Sequence, residues 1–247
     1  MLRTRSTTSL VLSVLSVLPL AAGCAGHGDR ESGGARPSAS KTRDDFGCLS
    51  GHQLDGSIEF EVGGFPVGGY LTGKGTTGVV LSHMANTDVC SWVPQADQLA
   101  AEGYRVLAVQ SIGDETAEIT AAAGLLAHKG VTKVILMGAS KGGTASVAAA
   151  PKITKPPVAA VINLSGPSLY QGMDAEKAAA RLTVPVLYVA AKLDSGFAED
   201  VKAQYKKSRR SPDAELNLVD GNAHGTDMFG VHPHLWQDVK AFMAEYK

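Results

Sequence analysis

The succession of apolar runs and helical segments predicts an α/β domain built on a mainly parallel sheet with helices on both faces. Three observations predict it. From Gly78 onward, short continuous runs of Val, Ile, Leu and Ala alternate with helical segments, the pattern of strands buried on both faces. Several of the helical segments stop at a helix-ending residue, among them Gly103, Gly130 and Pro151. The composition is that of a globular protein, 44% hydrophobic and 19% charged over 247 residues. Lys plus Arg (23) and Asp plus Glu (24) nearly balance, which leaves no basic excess for a nucleic-acid partner.

The elements follow in order. Ser57–Val62 alternates apolar and polar, Val67–Leu71 does so weakly, and Gly63-Gly64 stands between them as a turn, so the two form an antiparallel edge pair. Gly78–His83 is a buried strand. The segment from Trp92 to Glu102 is a helix, with Ser91 as its candidate N-cap and Gly103 just past its end. Then come the strand Val106–Val109, the helix Asp114–Lys129, the strand Val131–Met137 and the helix Lys141–Ala150. The strand Val158–Leu164, the short helix Asp174–Arg181, the strand Val184–Ala190 and the helix Phe197–Ser208 continue the alternation. The strand Ala214–Val219 and the helix Pro233–Tyr246 complete it. The total is eight strands. Only about ten residues (Ser165 to Met173) separate the sixth strand from the next helix, which leaves no room for a large cap domain.

Before the fold comes a different kind of sequence. Arg3 and Arg5 precede an apolar run from Leu10 to Ala22, whose 13 residues are too few to span a bilayer but fit the apolar region of a secretory signal. Leu20-Ala21-Ala22-Gly23-Cys24 then resembles a bacterial lipoprotein box. The resemblance implies a signal peptide at 1–23, cleavage before Cys24 and a lipid on its thiol, on the extracellular side of the membrane. Residues 25–45 carry no large apolar side chain and read as a flexible tether, which sets the domains at 1–23, 24–45 and 46–247. Export also bears on the other two cysteines. Cys48 and Cys90 are the pair that remains, and the compartment permits disulfides. A bridge between them is the expectation, and two separate buried thiols are the other reading.

In a sheet of this kind ligand sites lie beyond the carboxyl ends of the strands. After Val131–Met137 stands Gly138-Ala139-Ser140-Lys141-Gly142-Gly143, a G-x-S-x-G pattern between a buried strand and an Ala-rich helix. That context is the sharp turn that projects a serine oxygen above the sheet. A serine needs a base. His224, in Asp220-Gly-Asn-Ala-His-Gly225 after the last strand, is the candidate, ahead of His83, His128, His232 and His234. The carboxylate that orients it is read as Asp194, in Ala190-Ala-Lys-Leu-Asp194, with Asp220 and Asp227 as competitors. His232 and His234 are two apart and share no helical face, so a metal reading is poor, and no cofactor is expected.

With these residues in place, the chain from about Ser57 to Lys247 resembles an α/β-hydrolase without a large cap domain, close to dienelactone-hydrolase-like esterases. The residues that carry the resemblance are the Gly138–Gly143 elbow, Pro185 to Asp194, Gly221 to Gly225, and Trp92 through Leu99 to Gly103-Tyr104-Arg105-Val106. It implies Ser140 as nucleophile, His224 as general base and acid, and Asp194 as orienting partner, acting on a small-molecule carboxylic ester. Other readings are thioester, lactone or peptide hydrolysis on the same triad, and a surface-binding lipoprotein without catalysis. Two departures stand out. The family has His-Gly after its third strand where this chain has His83-Met84-Ala85, so the oxyanion donors are sought in the backbone N–H groups of Ala85 or Met84 and of Lys141. Lys141 itself places a cation at a helix N-terminus, against the macrodipole. Its side chain either leans into solvent or favours an acidic substrate.

Overall fold

The computed structural model describes residues 38–247. The segment read as a signal peptide, Cys24 and the first part of the segment read as a tether lie outside the described residues. The strands, in chain order, are β1 (Ala39–Lys41), β2 (Ser57–Val62), β3 (Phe65–Gly73), β4 (Thr77–Ser82), β5 (Arg105–Val109), β6 (Lys133–Ala139), β7 (Val158–Leu164), β8 (Leu169–Tyr170), β9 (Met173–Asp174), β10 (Val186–Ala191) and β11 (Ala214–Val219). The helices are α1 (Val93–Ala101), α2 (Glu115–His128), α3 (Lys141–Ala149), α4 (Ala175–Ala179), α5 (Phe197–Lys207), α6 (Met228–Val231) and α7 (Leu235–Glu245).

Nine strands form one sheet in the order β1-β2-β3-β5-β4-β6-β7-β10-β11. From β5 across to β11 every pairing is parallel. The β2–β3 pair is antiparallel, as its alternation predicts, and β3 is antiparallel to β5. The eight expected strands are all present, with ends shifted by a few residues. The shift that matters is at β6, which starts at Lys133 and runs on through Gly138 and Ala139. Val131 is held outside it by a hydrogen bond from its N–H to the Leu126 carbonyl at the end of α2.

A ninth strand comes from the segment read as a tether. Ala39–Lys41 pairs antiparallel with Ile58–Phe60, so the ordered fold begins before residue 46. Nothing apolar in that segment announces it. The edge of β2 supplies unpaired backbone groups, and a polar strand satisfies them as well as an apolar one. The hairpin of β8 and β9, the four-residue α6 and a 3-10 turn at Gly51–Gly56 are also additions. Ser91 does not cap α1. It lies inside a 3-10 turn (Val89–Trp92) whose cap is Asp88, accepting from the Cys90 N–H at 2.9 Å.

Successive strand residues point to opposite faces, and the core divides accordingly. Val80, Val134 and Leu136 pack with Ile119, Leu126, Val147 and Val201 of α2, α3 and α5. Val79, Leu81, Ile135 and Met137 pack with Leu99, Trp236, Val239 and Phe242 of α1 and α7. Every residue of α3 is buried, which is possible because the helix is made almost wholly of Gly, Ala, Ser, Thr and Val. Cys48 and Cys90 are joined in a disulfide, their Cα atoms 5.9 Å apart.

Candidate active site

Because β6 extends to Ala139 and α3 starts at Lys141, Ser140 is the single residue that turns the chain from strand to helix. Its backbone sits at φ 51° and ψ −119°, a region that costs a non-glycine residue of order 1–3 kcal/mol and that persists only where the surroundings hold it. The surroundings do so. The Ser140 N–H donates to the Leu164 carbonyl at 2.8 Å, and its own carbonyl accepts from Thr144 N–H at 3.1 Å. A Cβ on Gly138 would overlap the Gly142 carbonyl, and one on Gly142 would overlap the Ser82 carbonyl at the end of β4. The turn is therefore wedged between β4, β6 and β7, which explains its small residues.

His224 reaches this turn from the loop after β11. Its Nδ1 lies 2.9 Å from Asp194 Oδ2 and 3.1 Å from Oδ1. The carboxylate can only accept, so Nδ1 carries the proton and Nε2 is left as the basic nitrogen. Asp194 is buried and placed three residues past β10, where its N–H donates to the Ala191 carbonyl at 3.0 Å. The Phe197 ring packs on the imidazole with centroids 4.3 Å apart. Gly225, at φ 55°, has space for no Cβ because Met84 and Ala139 press against it. The residue after the histidine thus rests on the residue before the serine. Among the described residues no hydrogen bond joins Ser140 Oγ to His224, a contact that is often long in unliganded hydrolases.

Three of the competing residues are engaged elsewhere. Asp220 pairs with Lys192 at 2.7 Å in the open. His232 donates from Nε2 to the Asp220 carbonyl at 2.7 Å. His83 is buried, with Nδ1 donating to the Met84 carbonyl (2.7 Å) and Nε2 accepting from Ser111 N–H (3.0 Å). Burial, the largest cause, holds its pKa below the ordinary imidazole value. A neutral His83 with both nitrogens occupied is a brace for the turn after β4.

That turn carries Met84 and Ala85. The Met84 carbonyl is occupied by His83 and by Thr87 Oγ1 (3.1 Å). Among the described residues no acceptor takes the backbone N–H of Met84, Ala85 or Lys141. Met84, where the resemblance expects glycine, sends its side chain under Gly225 and so ties this turn to the histidine loop. Lys141 fits neither expectation made for it. Its Nζ donates to Glu115 Oε1 at 3.0 Å, and the two side chains are only 11% and 7% exposed.

Sequence reasoning missed a second layer of buried polar residues. Asn163 Nδ2 donates to Gln204 Oε1 (2.9 Å), its Oδ1 accepts from Gly166 N–H (2.7 Å), and Gln204 Nε2 donates to the Gly166 carbonyl (2.7 Å). This clamp shapes the loop after β7, where Ser165 Oγ accepts from Gly225 N–H at 3.2 Å. One signal was legible, a lone Asn in the apolar run Val161-Ile-Asn-Leu164.

Solved structures share this architecture. The chain superimposes on an esterase from Pyrococcus furiosus, Pf2001, with a TM-score of 0.66 at 14% identity, covering 77% of this chain and 91% of that one. It matches the esterase RhEst1 from Rhodococcus sp. with a TM-score of 0.62 at 18% identity, covering 78% of this chain and all of the other. A bromoperoxidase from Bacillus anthracis matches at 0.62 and 14%, over 76% and 99%. The chain has the α/β-hydrolase fold. No protein-family model matches it, and no curated protein matches its sequence. On an α/β-hydrolase sheet the carboxyl ends of β4, β6, β10 and β11 carry Met84, Ser140, Asp194 and His224 in turn. The presence of both esterases and a bromoperoxidase among the matches illustrates that the fold alone does not fix the reaction.

Proposed function

We propose that this protein is an exported, lipid-anchored serine hydrolase that cleaves carboxylic esters. The observation that carries the reading is the Asp194–His224 pair, bonded at 2.9 Å, with Gly225, the residue after His224, packed against Ala139, the residue before the strained turn at Ser140. In this mechanism His224 Nε2 takes the Ser140 proton as Oγ attacks the ester carbonyl. Asp194 holds the ring tautomer and stabilises the imidazolium that forms. The uncommitted N–H of Lys141, with that of Ala85 or Met84, binds the developing oxyanion, and fixed donors of this kind typically contribute 10²–10³-fold or more. His224 then protonates the leaving alcohol, and a water molecule activated by the same nitrogen hydrolyses the acyl-enzyme.

Cys24 as the lipid-bearing residue, export, and retention on the outer side of the membrane rest on the lipoprotein box and belong to the same proposal. The test of the chemistry is labelling of the chain from Ala25 onward, which keeps the entire described fold, with a fluorophosphonate. Wild type takes the label and Ser140→Ala does not. A folded wild type that refuses the label would overturn the enzyme reading.

A further inference from the structure

Among the described residues six large apolar side chains are substantially exposed, and their placement is uneven. Phe65, Ile112, Leu193 and Val231 are each between 61% and 73% exposed. Phe65 opens β3 just past the Gly63-Gly64 turn. Since β2 and β5 are both antiparallel to β3, that turn lies at the carboxyl edge of the sheet. Ile112 stands three residues past β5. Leu193 stands two residues past β10, and its N–H donates to the Gly221 carbonyl just beyond β11 (2.8 Å). Val231 ends α6, and the next residue, His232, is bonded to the Asp220 carbonyl at that same edge. A fifth, Leu169, stands on the β8–β9 hairpin over α3, five residues past β7, and the sixth, Tyr205 near the end of α5, lies away from this edge.

The four form two banks. In the strand order, Phe65 and Ile112 belong to β3 and β5, Leu193 and Val231 follow β10 and β11, and between them run β4 and β6 with Met84 and Ser140. Between Phe65 and Ile112 the surface opens into a hollow of about 500 Å³, also lined by Val62, Val67 and Ala117. Single exposed apolar residues are ordinary; a set gathered around one edge marks a surface that is covered in use.

The path of the chain into the fold indicates what covers it. In the β1–β2 pair Ala39 faces Phe60 and Lys41 faces Ile58, so β1 runs away from the carboxyl edge and the chain enters the fold at that edge. Cys24 precedes Ser38 by 14 residues, at most about 50 Å of fully extended chain. A domain of this size is itself about 45 Å across. The opposite edge could reach the bilayer only with those residues drawn out almost to that limit, so a lipid on Cys24 favours the carboxyl edge as the one that meets the membrane.

We propose that the apolar rim of Phe65, Ile112, Leu193 and Val231 docks on a lipid surface and presents Ser140 to esters dissolved in that surface. The proposal rests on the lipoprotein reading for its occupant and names the substrate class of the hydrolase site. Apolar side chains at a membrane interface bind through buried area, so the attraction survives high salt.

The experiment is co-sedimentation of the unlipidated chain from Ala25 onward with phosphatidylcholine vesicles, beside Phe65→Ser/Val231→Ser and a control, Tyr205→Ser. Wild type and Tyr205→Ser sediment with the vesicles at low and high salt, and the double variant binds about tenfold more weakly or worse. Hydrolysis of a water-soluble short ester stays unchanged in the double variant, which shows that its fold is intact. Wild type that stays in the supernatant at saturating lipid overturns the proposal. So does equal binding by the double variant, or a dimer that the same substitutions dissociate. Fluorophosphonate labelling of the same samples reports Ser140 independently, so failure of docking and failure of the hydrolase reading are distinguishable.

Discussion

At the scale of single residues, His224 Nδ1 faces both oxygens of Asp194 at 2.9 and 3.1 Å, and this bond decides which ring nitrogen is basic. Asp194→Asn keeps the shape and offers an amide that stabilises the wrong tautomer. The expected result is a fall in kcat of about 10⁴ with an unchanged circular dichroism spectrum, measured on a soluble ester. Lys141 carries a second prediction. Its ammonium is spent on Glu115 inside the protein, so it has no role in selecting anionic substrates. Lys141→Met should slow neutral and carboxylate-bearing esters by the same factor, and a selective loss on the anionic ester would show that Nζ reaches substrate. Glu115→Ala leaves a buried cation without its partner and should cost about 3–5 kcal/mol in urea unfolding, most of it recovered in Lys141→Met/Glu115→Leu. Ser140 and His224 were legible in the sequence because each stands in a glycine-bounded turn at a strand end. Asp194 was distinguishable from Asp220 only by the resemblance, since each of them follows a strand. What excludes Asp220 physically is its pairing with Lys192, a contact across two strand ends. The destination of the Lys141 side chain was not legible either, since Glu115 lies 26 positions earlier.

At the scale of elements, the boundaries that matter are those that aim side chains. β6 continuing through Ala139 leaves one residue for the turn, and that residue is the serine. The apolar run Val131–Met137 marks the strand but not its end, because glycine and alanine carry no periodic signal. β1 is the opposite case. Ala39-Ser40-Lys41 has no strand pattern, and it pairs because β2 offers an open edge. The disulfide belongs to this scale too. Cys48, ahead of β2, is joined to Cys90, ahead of α1, across 42 residues. In the chain-entropy account, closing a loop of that length is worth about 4 kcal/mol. Cys48→Ala/Cys90→Ala should therefore lower the melting temperature by roughly 8–16 °C for a chain of this size, read by calorimetry. A shift of only a degree or two would mean that the bridge constrains little in the unfolded chain.

At the scale of the molecule, the two faces of the sheet carry separate apolar layers, one closed by α2, α3, α4 and α5 and one by α1 and α7. Both are written in the continuous apolar runs of the central strands, whose successive residues supply the two layers in turn. What the edges of the sheet gather is not. The sequence by itself determined the α/β class, the order of strands and helices, the turn at Ser140 and the histidine loop, because these follow from local periodicity and from glycine at positions that tolerate nothing larger. Only the tertiary structure decided that Asp194 meets His224, that Lys141 is neutralised by Glu115, that Asn163 and Gln204 clamp the neighbouring loop, and that exposed apolar residues from four distant segments share the carboxyl edge of the sheet. Each of these is a contact between residues far apart in the chain, fixed by which strands lie side by side, and strand order is set by packing the whole sheet between its helices.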